Sequence, residues 1–267
     1  MKTRNLLYLL CLLLLASCDM DKTIDIKLPP NDPQLVVECY LERGKPMHAT
    51  VLETSGYFDA PVPPLVPDAE VYITHNGDRI KLEYNPTFDE KNNKGYTHVS
   101  NRIMLGSPGD IYSIEVIDGK GRKVTGYTTI LPEVPIDSVT WRLNDRDEAL
   151  LLSYFQDNPN STDYYRYMIH RDSVGQGSNR EYTRSDELNS GKQMVLTSTS
   201  NYEKGDTLII SLFHIEKKYY DFLRSADAAE DANGNPFAQP SRISSTVEGG
   251  IGVFTNLVYD RKTVIIH

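Results

Sequence analysis

Apolar and polar residues alternate along most of this chain in runs too short for helices. In Leu35-Val36-Val37-Glu38-Cys39-Tyr40-Leu41 the side chains of Val37, Cys39 and Leu41 fall on one face of an extended strand. Residues 48–53, 69–75, 79–84, 96–101, 111–117 and 122–130 are likewise short, rich in β-branched and aromatic residues, and bounded by turn residues. Asn76-Gly77, between two such runs, predicts a type I′ hairpin, and Asp118-Gly119-Lys120-Gly121 a second turn. Strands at this spacing predict an antiparallel β-sandwich. Leu131-Pro132-Glu133-Val134-Pro135 interrupts the pattern, because each proline withholds a ladder donor and biases its predecessor towards extended backbone. Beyond it, 137–143, 149–155, 164–170, 194–198 and 207–214 again read as strands, with 249–257 and 262–266 closing the chain. One stretch has the other period: Ile215, Tyr219, Phe222, Leu223 and Ala226 share a helix face, predicting a helix over 215–229. The expected fold class is all-β, with two β-sandwich (Ig-like) domains at 34–131 and 136–267, the second carrying one inserted helix.

The first residues follow a different logic. Lys2 and Arg4 precede an apolar run from Leu6 to Ala16, which ends in Leu15-Ala16-Ser17-Cys18. That run is shorter than the roughly 20 residues a bilayer span needs. The four residues resemble a bacterial lipobox. The resemblance implies cleavage of a signal peptide at 1–17, lipidation of Cys18 and a tether at 18–33, so that acyl chains make the membrane contact. Removing Lys2 and Arg4 from 28 basic residues leaves 26 against 37 acidic ones, a net charge of -11. Such a surface repels phosphate backbones and anionic head groups, so no nucleic-acid partner is expected. Of the three cysteines, Cys11 leaves with the leader and Cys18 is acylated; Cys39 remains as a small buried hydrophobe rather than a nucleophile.

Little in the motifs points to catalysis. The six histidines are dispersed without zincin spacing, and there is no Gly-x-Ser-x-Gly elbow. Gly249-Gly250-Ile251-Gly252 lacks the spacing of a dinucleotide fingerprint and reads as a place of close backbone approach or a bulge. Asp231-Ala232-Asn233-Gly234-Asn235 offers oxygens at alternate positions, as calcium loops do. Pro236 and Arg242 stand where an EF-hand needs Gly and Glu, however, so a helix-terminating turn is preferred. No catalytic, metal-binding or cofactor-binding residue is assigned. Among 17 tyrosines, Tyr164-Tyr165-Arg166-Tyr167 is the densest cluster. In a strand, Tyr165, Tyr167 and Ile169 share one face and Tyr164, Arg166, Met168 and His170 the other. The cluster reads as sandwich core, with Tyr164, Tyr165, Tyr167 and Trp141 as the alternative of an interaction surface.

Leu35-Val36-Val37-Glu38, the stretch from Tyr57 to Val71, Ile130-Leu131-Pro132 and Ile136-Asp137-Ser138 resemble a lipoprotein family of Bacteroidota known as domain of unknown function 4249. Tyr219-Tyr220-Asp221-Phe222-Leu223, Asn233-Gly234-Asn235-Pro236-Phe237-Ala238 and Val247-Glu248-Gly249-Gly250-Ile251-Gly252-Val253-Phe254 extend the resemblance over the mature chain. It implies an outer-membrane lipoprotein, exposed at the cell surface by the acidic Asp19 and Asp21 after Cys18. The expected role is a non-enzymatic accessory or ligand-binding partner of a TonB-dependent transporter, with a nutrient as ligand. Asp137-Ser138-Val139 and Asp172-Ser173-Val174 resemble O-glycosylation acceptors of such bacteria, with Ser173 the expected accessible one. Two alternatives stand beside this reading: a structural or adhesion module of the envelope, and a surface hydrolase of glycan or peptide, since two carboxylates can converge without a sequence signature.

Overall fold

Two hydrophobic cores organise the strands, and one strand serves both. The computed structural model describes residues 32–56, 59, 62–90, 92–188, 190–199, 201–232 and 242–267; the leader, Cys18, Asp19 and Asp21 lie outside the described residues. Pro33–His267 forms one compact unit.

The first core is built by β1 (Leu35–Glu42), β2 (Pro46–Glu53), β3 (Glu70–His75), β4 (Asp78–Asp89), β5 (Lys94–Ile103), β6 (Ile111–Ile117) and β7 (Lys123–Thr129). Alternation is clean in β1, where Leu35, Val37, Cys39 and Leu41 are buried and their neighbours half-buried. The Asn76-Gly77 turn joins β3 to β4 with φ of 49° and 82°, the pair of positive values a type I′ turn requires. β4 changes partner midway: residues up to Leu82 pair with β3, those from Glu83 with β5, with a register shift between Tyr84 and Thr87. Pro86, which has no N–H to give, sits in that shift. β4 thereby links the two sheets of the first sandwich.

The second core is built by β8 (Ser138–Leu143), β9 (Ala149–Gln156), β10 (Tyr164–Arg171), β11 (Arg180–Ser185), β12 (Gln193–Thr197) and β13 (Thr207–Ile215), followed by helix α1 (Lys217–Ala232), β14 (Val247–Glu248) and β15 (Ile251–Ile265). β12, β9 and β8 make a three-stranded sheet; β11, β10, β13 and the end of β15 face it. The apolar periodicity of the chain does not reveal β11, an edge strand whose sequence Arg-Glu-Tyr-Thr-Arg-Ser offers the second core only Tyr182. Ile215, expected in the helix, ends β13 and is buried. Tyr219 is the buried residue of α1, and it meets Tyr40 of β1 edge-on at 6.1 Å. The helix thus covers the outer face of β10 and β13 with a third apolar cluster that includes Phe213, Ile215 and Val253.

β15 decides the architecture. The two closing strands expected at 249–257 and 262–266 are one strand of 15 residues, about 50 Å long. Its first half runs parallel to β1, from Val36↔Ile251 to Glu42↔Leu257. Its second half runs antiparallel to β13, from His214↔Val258 to Thr207↔Ile265. Val247 and Phe254, in the segment expected to belong to the second domain, pack in the first core. The close approach expected of the glycine run is realised here: a Cβ on Gly252, whose φ is 134°, would stand 2.0 Å from the Val37 carbonyl oxygen.

The connection between the cores is bonded rather than loose. Asn256 Nδ2 donates to Thr128 Oγ1 at 2.6 Å and to the Thr129 carbonyl at 2.7 Å. The Glu216 carboxylate accepts from Thr129 N–H at 2.9 Å, His214 Nδ1 lies 2.7 Å from the Pro132 carbonyl, and Ile136 N–H donates to Asp260 at 2.8 Å. The proline-rich stretch is therefore pinned to β13 and β15 along its length.

Candidate functional site

Where β15 leaves β1 for β13, the outer faces of the two sandwiches meet across a cleft of about 510 Å³. Strand alternation supplies its walls. On β1, Cys39 and Leu41 point into the core, so Tyr40 and Glu42 face the cleft; on β10, Tyr165, Tyr167 and Ile169 point inward, so Arg166, Met168 and His170 face it. Leu257, Tyr259 and Arg261 of β15 form the floor at the same period, and His48 of β2 and Tyr96 of β5 close the far side. A second cavity, of about 350 Å³, lies beside the same crossing and is lined by Met104, Ile130, Leu131, Asn256 and Val258 among others.

Aromatic rings and charges are interleaved in the larger cleft. His48 and Tyr96 lie with ring centres 4.6 Å apart, Phe213 and Tyr259 at 4.9 Å. Tyr259 donates its hydroxyl to Glu42 at 2.8 Å, and the Arg261 guanidinium lies 4.5 Å from the Tyr259 ring centre while Nε donates to Ser211. Arg166 pairs with Glu181 and donates to the Tyr219 hydroxyl at 2.9 Å. Burial opposes the charge of Arg166, but Tyr219 and Glu181 hold its pKa above the usual guanidinium value. Burial lowers the pKa of His48, and burial and the nearby Arg261 lower that of His170, so both rings are neutral at pH 7. Burial and Asp89 raise the Tyr96 hydroxyl. His170 Nδ1 is buried without a hydrogen-bond partner among the described residues. Flat aromatic faces beside fixed cations and neutral imidazoles bind polar ligands by stacking and hydrogen bonding.

The family described as "Domain of unknown function (DUF4249)" matches residues 21–263. The chain belongs to this family. No curated protein matches this DUF4249 chain. The solved structures similar to this chain include three at 11–15% identity. A cytokine receptor complex is 11% identical, covering 69% of this chain and 86% of that one, with a TM-score of 0.26. The FN1–FN3 domains of chicken CNTN1 are 11% identical over 90% of this chain and 68% of theirs, with a TM-score of 0.28. A DUF4785 family protein from Legionella pneumophila is 15% identical over 67% of this chain and 51% of that one, with a TM-score of 0.25.

Of the residues singled out in the DUF4249 sequence, Cys18 lies outside the described residues, as do Asn233, Gly234 and Asn235 of the calcium-like pattern, whose first two residues end α1. Cys39 is buried, and burial pushes its thiol up to about 12, which leaves it inert at neutral pH. Tyr165 and Tyr167 are core residues, which removes them from the surface alternative: a small sandwich must fill its interior, and their hydroxyls find buried partners in Asp157 and Ser153. Trp141 is half-buried against the second core and meets His267 edge-on at 4.8 Å. Ser173 is half-buried and its hydroxyl accepts from Gly175 N–H, whereas Ser138 is exposed, the reverse of the expected order of access. The cleft itself was not read from the sequence. Tyr40, Arg166 and His170 stand on the polar phase of expected strands, whereas Tyr259 and Arg261 fall between the closing strands expected at 249–257 and 262–266 and reach the cleft because β15 is continuous.

Proposed function

We propose that this chain is a lipid-anchored, non-enzymatic binding protein of the outer-membrane surface. It works beside a TonB-dependent transporter and takes that transporter's nutrient ligand in the cleft between the sandwiches. The observation that carries the binding role is the interleaving of Tyr40, Tyr96, Tyr259, Arg166 and Arg261 around about 510 Å³ at a junction of two sandwiches, the kind of concavity ligands occupy. The anchor and the transporter rest on the leader ending in Cys18 and on the lipoprotein family the sequence resembles.

The test is affinity purification of the tagged protein from native outer membrane in gentle detergent. A TonB-dependent receptor co-eluting in stoichiometric amount is expected, with Cys18→Ser releasing the protein from the membrane fraction. Purification of a lone lipoprotein overturns the partnership. Replacing Tyr96 and His48 by alanine is expected to preserve the receptor contact while impairing growth on the transported nutrient. Unchanged growth counts against the cleft as the ligand site.

A further inference from the structure

Three aspartates converge at one end of the second sandwich, where the chain crosses between its sheets. Asp157 follows β9, Asp163 precedes β10 and Asp186 follows β11, so the cluster joins the β9–β10 crossing to the β11–β12 crossing. Their exposures are 1%, 6% and 0%, and one carboxylate oxygen of each lies within 4.8 Å of those of the other two. Calcium is coordinated by oxygens at about 2.3–2.6 Å, so two ligands on opposite sides of one ion stand about 5 Å apart.

The hydrogen bonds of the cluster leave it short of positive charge. Asp157 accepts from the Tyr165 hydroxyl and from Gly191 N–H at 2.8 Å. Asp163 accepts from Ser161 Oγ at 2.9 Å, and its other oxygen lies 3.3 Å from His214 Nε2. Asp186 Oδ1 accepts from Asp163 N–H at 2.9 Å. Asp186 Oδ2 is buried and meets no N–H or O–H donor among the described residues; the Asp186 carboxyl lies against that of Asp157 instead. Among these residues no Lys or Arg pairs with any of the three, so His214 can offset at most one of three negative charges. Burial first, and then the facing Asp157 carboxylate, push the Asp186 pKa up. An uncompensated buried carboxylate is strongly disfavoured, and a cation is one way to offset it.

We propose that Asp157, Asp163 and Asp186 bind a calcium ion that clamps the two inter-sheet crossings together, with Asp186 Oδ2 as the ligand oxygen left open for it. A donor set of carboxylates selects hard divalent cations over zinc or copper. Three such groups spaced up to 4.8 Å apart suit calcium better than magnesium, which requires a tighter octahedron at about 2.0–2.1 Å. The site is distinct from the cleft: Tyr165, which donates to Asp157, lies on the core face of β10, opposite Arg166 and His170.

The experiment uses the soluble chain from residue 19 onward, stripped with a chelator and dialysed. Titration with calcium chloride is followed by thermal unfolding and calorimetry, and terbium binding is read by luminescence sensitised through tyrosine. One calcium per chain, a raised unfolding temperature and displacement of terbium by calcium are expected. Asp186→Asn, which keeps the shape of the side chain, is expected to weaken calcium binding by more than about tenfold. The isosteric variant and the terbium signal keep the test decisive if Asp157→Asn fails to fold. Unfolding that ignores calcium, with Asp186→Asn more stable than the parent in chelator, overturns the proposal; Asp186 then carries a proton shared with Asp157. Stabilisation by magnesium and not by calcium overturns the assignment of the ion.

Discussion

His98 is fully buried and has both ring nitrogens engaged. Its Nε2 lies 3.1 Å from the Ala69 carbonyl, which can only accept, so Nε2 carries the hydrogen and Nδ1 accepts from Thr97 at 2.9 Å. Thr97 Oγ1 in turn accepts from Val51 N–H at 2.8 Å, which closes a chain across β2 and β5. A second proton on the ring would place a charge inside the core and turn the Thr97 hydroxyl towards the Ala49 carbonyl, 3.4 Å away; burial lowers the His98 pKa below the usual 6.5. Above pH 6.5 the ring is neutral in both states and contributes no pH dependence. Below it the unfolded chain binds a proton that the folded chain resists, so stability falls by up to about 1.4 kcal/mol per pH unit for such a group. The urea midpoint is expected to drop between pH 7.5 and pH 5.5, and His98→Gln is expected to flatten that dependence while lowering the midpoint at pH 7.5.

The elements of the first sandwich are not contiguous in sequence. Residues 35–130 supply most of its core, but β1 has β15 along one edge, and Val247 and Phe254 fill space against β7 and its neighbours. A fragment of residues 34–131 lacks those strands, exposes one edge of β1 and loses Val247 and Phe254 from its core. This fragment is expected to give poorly dispersed amide spectra or to aggregate, and addition of a peptide covering 245–258 is expected to restore dispersion. A well-dispersed spectrum from the fragment alone would show that β14 and β15 are accessories to a sandwich that folds without them. The same dependence explains the glycines at the head of β15: the strand enters between β1 and β7, and at Gly252 no side chain fits beside Val37.

At the scale of the whole molecule, a strand about 50 Å long couples the two cores mechanically. The bonds from Asn256, Glu216, His214 and Asp260 to residues 128–136 add a second tie. Unfolding either sandwich removes an edge strand from the other and leaves these polar groups unpaired, so the cores are expected to melt together. Calorimetry is expected to show one transition with equal calorimetric and van't Hoff enthalpies; two resolved peaks would mean that β15 yields at Leu257 before either core does. A rigid junction also pre-shapes the cleft, whose walls come from both sandwiches, and so lowers the ordering cost of binding there.

Alternation of apolar residues determined that this chain is all-β, where most strands lie and where the helix sits, because burying one face of a strand or helix leaves a local period of two or 3.6. The acidic balance and the buried, inert Cys39 were equally local properties. Tertiary structure alone decided that 251–265 is one strand shared by two sandwiches, since a strand reads the same whether its partner is β1, β13 or each in turn. It also decided the two polar gatherings. Arg166, His170, Tyr259 and Arg261 occupy the outward phase of their strands, where sequence carries no record of what faces them. Asp157, Asp163 and Asp186 stand at strand ends, where an aspartate is ordinary turn chemistry until the fold buries three of them together.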